Sequence, residues 1–159
     1  MNEEIGFRFR FRFQGQRAQA EAKLAAIAQD FRNLKLDEVG EVVVVDQLTQ
    51  KSDDVPRYYS PTPKYYRYWV ARTQQDTIQD WPKSLALVLP VRVVDGCDRF
   101  EVALCSADDS CWRGYGETVT EYAPDFDETH GVIRELLSIC ERHGILESFE
   151  DTTEKHGRP

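Results

Sequence analysis

The feature that most constrains the fold is a strict alternation of phenylalanine and arginine near the start of the chain. Residues 7–13 read Phe-Arg-Phe-Arg-Phe-Arg-Phe. Because successive side chains of a β-strand point to opposite faces, this pattern predicts a strand with one apolar face and one cationic face. A slip of one residue would turn Arg8, Arg10 and Arg12 into the core, so the register is strongly fixed. We therefore expect the phenylalanines to lie under a packed layer and the arginines on an open surface.

Two amphipathic segments are predicted to be helices. The first covers about residues 16–33, where an apolar residue recurs at helical spacing. The second begins near Asp125, whose separation from Glu128 fits a capping box, and ends near Gly144, a residue type favoured just past a helix. The apolar stripes of the two helices are Leu24, Ile27, Ala28, Phe31 and Leu34, and Ile133, Leu136, Leu137 and Cys140.

Most of the remaining sequence reads as short strands joined by turns. The dipeptide Asp95-Gly96 between two apolar runs predicts a hairpin, and Pro90 within the first run predicts a bulge or a sheet edge. Four consecutive valines favour an interior strand at 41–47, and three prolines favour a long loop at 48–63. The other predicted strands are 64–72, 84–94, 99–106, an irregular one at 112–122 and a closing one at 145–149.

This order of elements predicts the α+β class. Consecutive strands joined by turns favour a mainly antiparallel sheet of five to seven strands, and two helices can cover only one face of such a sheet. We expect a single domain over residues 1–150 and a flexible tail over residues 151–159, where apolar residues are scarce. The arginine side of the first strand would then lie on the face without helices.

The charge is unevenly distributed along the chain. The net charge is −8; residues 1–72 carry +2 and residues 73–159 carry −10. An acidic chain is a poor ligand for nucleic acid, since phosphates attract cationic surface. The sequence has no apolar run of the roughly 20 residues that a membrane helix needs and no secretory leader pattern, so a cytoplasmic protein without membrane contact is expected. Nothing in the sequence predicts a cofactor.

The cationic strand face is the first candidate for function. Aromatic and basic residues of the predicted strand 64–72 are expected to lie beside it, which gives a surface of the kind that anchors protein–protein interfaces. The expected binding residues are Arg8, Arg10, Arg12, Arg67, Tyr66, Tyr68 and Trp69. A protein partner is favoured; phosphate-bearing ligands or single-stranded nucleic acid are the alternative, and an unpaired edge strand leaves a homodimer open.

The second candidate is a small enzyme that uses a cysteine and a histidine. A catalytic thiolate needs a nearby imidazole, and Cys111 or Cys105 could meet His130 if the last long strand runs beside the second helix. The competing interpretation is a half-buried His130 bonded to a carboxylate, which we favour. A metal site is not expected, because the four cysteines include no Cys-x-x-Cys pair and only Cys140 and His143 share a helix face.

A faint resemblance covers about residues 100–150. The pattern Trp112-x-Gly114…Thr118…Tyr122-Ala123…His130…Leu136-Leu137…Gly144 resembles a bacterial domain family of uncharacterised role. In that family an aromatic–glycine strand is followed by a helix with an early histidine and a late glycine. The chain departs from the pattern at Gly116, where the family has a cysteine, and after Phe149. The resemblance implies the strand-then-helix order and no activity.

Overall fold

The computed structural model describes residues 3–46, 85–94, 100–106, 110–121 and 125–155. Within these ranges the chain forms two helices and eight strands in one antiparallel sheet, which confirms the α+β class and gives more strands than the five to seven expected. The predicted loop 48–63, the strand 64–72 and the turn 95–98 lie outside the described residues. The elements are β1 Glu3–Gln14, α1 Arg17–Phe31, β2 Glu38–Val39, β3 Val43–Asp46, β4 Leu85–Arg92, β5 Phe100–Ser106, β6 Cys111–Glu121, α2 Phe126–Arg142, β7 Leu146–Asp151 and β8 Glu154–Lys155.

The first strand of the chain lies inside the sheet. The strand order is β2-β4-β5-β6-β1-β7, with β3 also paired to β4 and β8 also paired to β1. β1 and β6 keep one register over eleven residue pairs, from Glu4 opposite Glu121 to Gln14 opposite Cys111. This continuous ladder shows that the expectation of an irregular strand at 112–122 is wrong. The β4–β5 hairpin is confirmed by the pairing of Val91 with Phe100.

The alternation of phenylalanine and arginine in β1 separates core from surface as predicted. Phe7, Phe9 and Phe11 are at most 2% exposed, whereas the arginines between them are exposed. The Phe9 ring lies 5.0 Å from that of Phe100, measured between centroids. Burial of a phenylalanine side chain contributes about 1.5–3 kcal/mol, so these rings hold β1 firmly in its register.

Both helices cover the phenylalanine side of the sheet. The buried residues of α1 include Leu24 and Phe31, and those of α2 include Ile133 and Leu136, as their spacing predicts. Neither helix is long and apolar enough to cross a membrane, a finding that applies to the described residues. The arrangement confirms two helices on one face of the sheet.

The ends of α2 are fixed by the residues expected from the sequence. Asp125 accepts a hydrogen bond from the backbone N–H of Glu128 at 3.0 Å. Gly144 has φ +78°, a backbone conformation that favours glycine. The N–H groups of Gly144 and Ile145 then donate to the carbonyl oxygens of Glu141 and Cys140, which satisfies the last turn of the helix.

Pro90 explains why the strand beside β4 is divided into β2 and β3. Val39 pairs with Val91 and Val43 pairs with Val88, so four residue steps oppose three and one residue is extra. Proline has no N–H to give to the ladder, and only its carbonyl oxygen accepts, from the N–H of Gly40 at 2.9 Å. The predicted bulge is thus confirmed. The strand expected at 41–47 is confirmed at Val43–Asp46, but it is not buried on both faces as an interior strand would be, because Val44 is 41% exposed.

The chain stays paired beyond residue 150. β7 pairs with β1 from Leu146 to Asp151, and β8 adds the pair of Glu154 with Glu4. Between them the N–H of Thr152 donates to the carbonyl oxygen of Gly6 at 2.8 Å. The expectation of a flexible tail from residue 151 is therefore wrong for residues 151–155, while residues 156–159 lie outside the described ranges.

Candidate interaction surface

The cationic side of β1 is exposed and continues onto β6. Arg8, Arg10 and Arg12 of β1 and Arg113 of β6 are all exposed on the side of the sheet that carries no described helix. We call these four residues the arginine face. Alternate residues of a strand lie about 6.6 Å apart, so the β1 members form a regular row.

Arg12 and Arg113 occupy directly opposite positions on β1 and β6. Side chains at such positions have Cβ atoms about 4.5–5.5 Å apart, and like charges there destabilise the pairing. Arg10, one step along the row, is diagonal to Arg113. Sequence reasoning missed Arg113, because only the register between two strands a hundred residues apart places it beside the β1 row.

The members of the arginine face differ in their partners. Arg8 interacts with a group of the chain, and the positions opposite it are Glu117 on β6 and Glu150 on β7. The side chains of Arg10, Arg12 and Arg113 take part in no hydrogen bond or ion pair with the described part of the chain. Within the described part of the chain, the donors of these three neighbouring guanidinium groups are therefore not used.

The side of the sheet opposite the two described helices is not exposed on every strand. On β4 and β5 the residues that alternate with the core positions include Ala86, Val88, Glu101, Ala103 and Cys105, and all five are at most 4% exposed. The expectation that the whole face opposite the helices is open is therefore wrong at β4 and β5. Among the described residues of this side, the exposed arginines lie on β1 and β6.

The aromatic half of the predicted binding surface is not located. Arg67, Tyr66, Tyr68 and Trp69 all lie outside the described residues. Whether they adjoin the arginine face stays a prediction.

His130 is held on the opposite side of the sheet. Its Nε2 atom lies 2.8 Å from Oδ2 of Asp151, and its ring centroid lies 5.1 Å from that of Phe7. The side chain is 25% exposed. The structure thus confirms the interpretation of a half-buried histidine bonded to a carboxylate, and identifies Asp151 as the carboxylate that sequence reasoning left unnamed.

The candidate cysteines do not converge with His130. Cys111 pairs with Gln14, whereas the Asp151 partner of His130 pairs with Phe7, seven residues along β1. That separation is about 23 Å along the strand. Cys105 alternates with the core residue Leu104 and so lies on the side of the sheet opposite the two described helices. Burial raises the pKa of the Cys105 thiol to about 12, which disfavours a thiolate.

The possible metal ligands are also dispersed. Cys140 is completely buried in the core, and burial raises the pKa of its thiol. Nε2 of His143 lies 2.6 Å from Oδ2 of Asp30 on α1, so this imidazole links the two helices. No group of three or more His, Cys, Asp and Glu side chains suited to a metal occurs in the part of the chain that the structure describes.

A cleft of about 330 Å³ lies beside the first turn of α2, with Val93, Val94 and Val132 among its lining residues. Two carboxylates at the cleft are already engaged: Asp125 caps α2, and Asp37 lies 3.5 Å from Arg92. The cleft also carries charges of both signs, Lys35 and Glu128 among them, whereas the exposed residues of the arginine face are all cationic.

No protein-family model, curated protein or solved structure matches the chain. The resemblance of residues 100–150 to a bacterial domain family accordingly stays a prediction.

Proposed function

We propose that the protein is a cytoplasmic, non-enzymatic interaction module that binds another protein through the arginine face. The observation that carries the proposal is the exposed cluster of Arg10, Arg12 and Arg113, whose side chains have no ion-pair partner among the described residues. Arginine is enriched among the residues that dominate binding energy, because its planar fork of donors recognises acceptors in a fixed geometry.

The rigidity of the supporting strand favours this proposal. β1 is hydrogen-bonded on both sides, to β6 and to β7, and its phenylalanines are locked in the core. A binding surface on such a strand loses little backbone entropy when a partner docks. The row of arginines is therefore presented in a preorganised geometry.

The overall charge favours a protein partner over nucleic acid. The chain carries a net charge of −8, and near the start of β1, before the arginines, Glu4 is paired with Glu121 in the ladder. A long polyanion that runs along β1 would meet these acids and be repelled. A protein segment can match both signs of charge.

Affinity purification from the native cells tests the proposal. The tagged wild type is compared with Arg10→Glu, and with Arg142→Glu as a matched charge reversal on the other layer, where Arg142 is 62% exposed. Circular dichroism and thermal melting check that each variant folds. We expect a co-purifying protein to be lost with Arg10→Glu and retained with Arg142→Glu. If both folded variants recover the same amount of the co-purifying protein, the arginine face does not bind that protein.

A further inference from the structure

We infer that the partner presents an extended segment in which acidic residues alternate with other residues, and that Arg10, Arg12 and Arg113 bind its carboxylates. This inference rests on the proposed function and names the chemistry of the partner at the same surface.

The charge of the cluster calls for an anion. Arg12 and Arg113 are opposite each other in the ladder, both are exposed, and neither has a partner in the described ranges. Such a like-charge pair is unfavourable in the free protein. A carboxylate placed between the two guanidinium groups would remove the repulsion and accept charge-assisted hydrogen bonds from both.

The spacing of the cluster selects an extended partner. Arg10 and Arg12 are alternate residues of one strand, so they repeat about every 6.6 Å. Alternate residues of an extended peptide have the same repeat and point to one face. Acids at every second position would therefore face Arg10 and the Arg12–Arg113 pair in sequence.

The charge of the residues along β1 changes from positive to negative, which limits the length of the acidic segment that this surface can bind. Arg12 and Arg113 lie at one end of the β1–β6 ladder, and Glu4 and Glu121 lie at the other. Between them Arg8 stands opposite Glu117 and Glu150. Arg10, Arg12 and Arg113, which have no partner among the described residues, thus define a short acidic footprint, which fits a peptide segment better than a continuous phosphate backbone.

Fluorescence anisotropy with labelled peptides tests this inference. The probes are (Thr-Glu)₄ and (Glu-Glu-Thr-Thr)₂, which have the same composition and charge, but the second doubles the spacing of acids on each face of an extended chain. An oligothymidylate of eight nucleotides is the phosphate probe. We expect the alternating peptide to bind most tightly, and Arg12→Gln or Arg113→Gln to weaken its binding about tenfold, equivalent to 1.4 kcal/mol. Arg142→Gln is the control and should not change the affinity.

Each other outcome overturns the inference. Equal binding of the two peptides would exclude recognition of alternate acids, and tighter binding of the oligothymidylate would assign the face to phosphates. If neither peptide binds but Arg10→Glu still abolishes capture of the native partner, the inference fails while the proposed function stands. If Arg10→Glu leaves that capture unchanged, the proposed function itself fails.

Discussion

Gly116 of β6 stands directly opposite Phe9 of β1, and the Phe9 ring fills the space that a side chain at residue 116 would need. The glycine and the aromatic ring are thus complementary parts of one packing arrangement. The phenylalanine row can lie flat against the sheet because β6 leaves room for it. The same arrangement allows the alternate residues, the arginines, to face outward in register.

Gly116→Ala should destabilise the fold by about 1–3 kcal/mol, because a new methyl group must displace a packed ring. Gly131→Ala is the matched control, since Gly131 is exposed in α2 and a Cβ there would meet nothing within 4 Å. That control should stabilise the helix by about 0.5–1 kcal/mol. Urea unfolding of the two variants measures both effects, and a Gly116→Ala protein as stable as wild type would show that Phe9 moves freely aside.

Arg113→Glu should raise the free energy of unfolding by about 0.2–1 kcal/mol, because it replaces a like-charge pair opposite Arg12 with an opposite-charge pair. Arg142→Glu is the comparison: it places an acid near Glu135 and at a helix C-terminus, so stability should fall slightly. Denaturant unfolding at low salt measures the difference. A loss of stability in Arg113→Glu would mean that the two arginines do not repel each other.

Ionisation of Asp151 should make the free energy of unfolding depend on pH in the acid range. Burial raises the pKa of this carboxyl, but the hydrogen bonds from Thr153 and the contact with His130 outweigh it, so the pKa is lowered from 3.8. A carboxyl whose pKa is lower in the folded than in the unfolded protein stabilises the fold at pH values above its unfolded pKa. This contribution is lost as the pH falls through the pKa of the folded state.

Asp151→Asn should therefore lose less stability than wild type as the pH falls below about 4. Glu147→Gln, an exposed carboxyl on the same strand, is the control. Unfolding curves recorded from pH 7 to pH 2 compare the three proteins. Parallel acid profiles for wild type and Asp151→Asn would refute a stabilising role of the ionised Asp151.

The thiols of Cys105 and Cys140 should resist alkylation in the folded protein. Both side chains are buried, and burial raises the pKa of the Cys105 thiol to about 12. Cys111 is only partly buried, so iodoacetamide should modify it first among these three cysteines. Mass spectrometry of the digested protein identifies the modified residue. Rapid labelling of folded Cys105 would instead support the enzyme hypothesis.

Features with a local cause were predictable from the sequence. The two faces of β1 follow from the alternation of residues 7–13, because the side-chain period of a strand is fixed by its backbone. The ends of α2 follow from Asp125 and Gly144, whose side chain and backbone satisfy groups within the same helix. The histidine interpretation also needed only the general rule that a half-buried imidazole finds a carboxylate.

Features that depend on strand pairing were not predictable. Arg113 joins the arginine face because Trp112 faces Phe13 and fixes the register, and no local pattern encodes that pairing. Burial of the outer residues of β4 and β5, such as Val88 and Ala103, depends on tertiary packing rather than on their own alternation. The order of β1 between β6 and β7 likewise arises from contacts between the two ends of the chain.

The position of β1 delays completion of the fold during translation. Phe7 needs Thr118 on one side and Asp151 on the other, so its flanking strands leave the ribosome more than a hundred residues later. At cellular rates of synthesis this interval is on the order of ten seconds. Throughout this interval the phenylalanine row of β1 is without β6 and β7, the two strands between which it lies in the finished sheet.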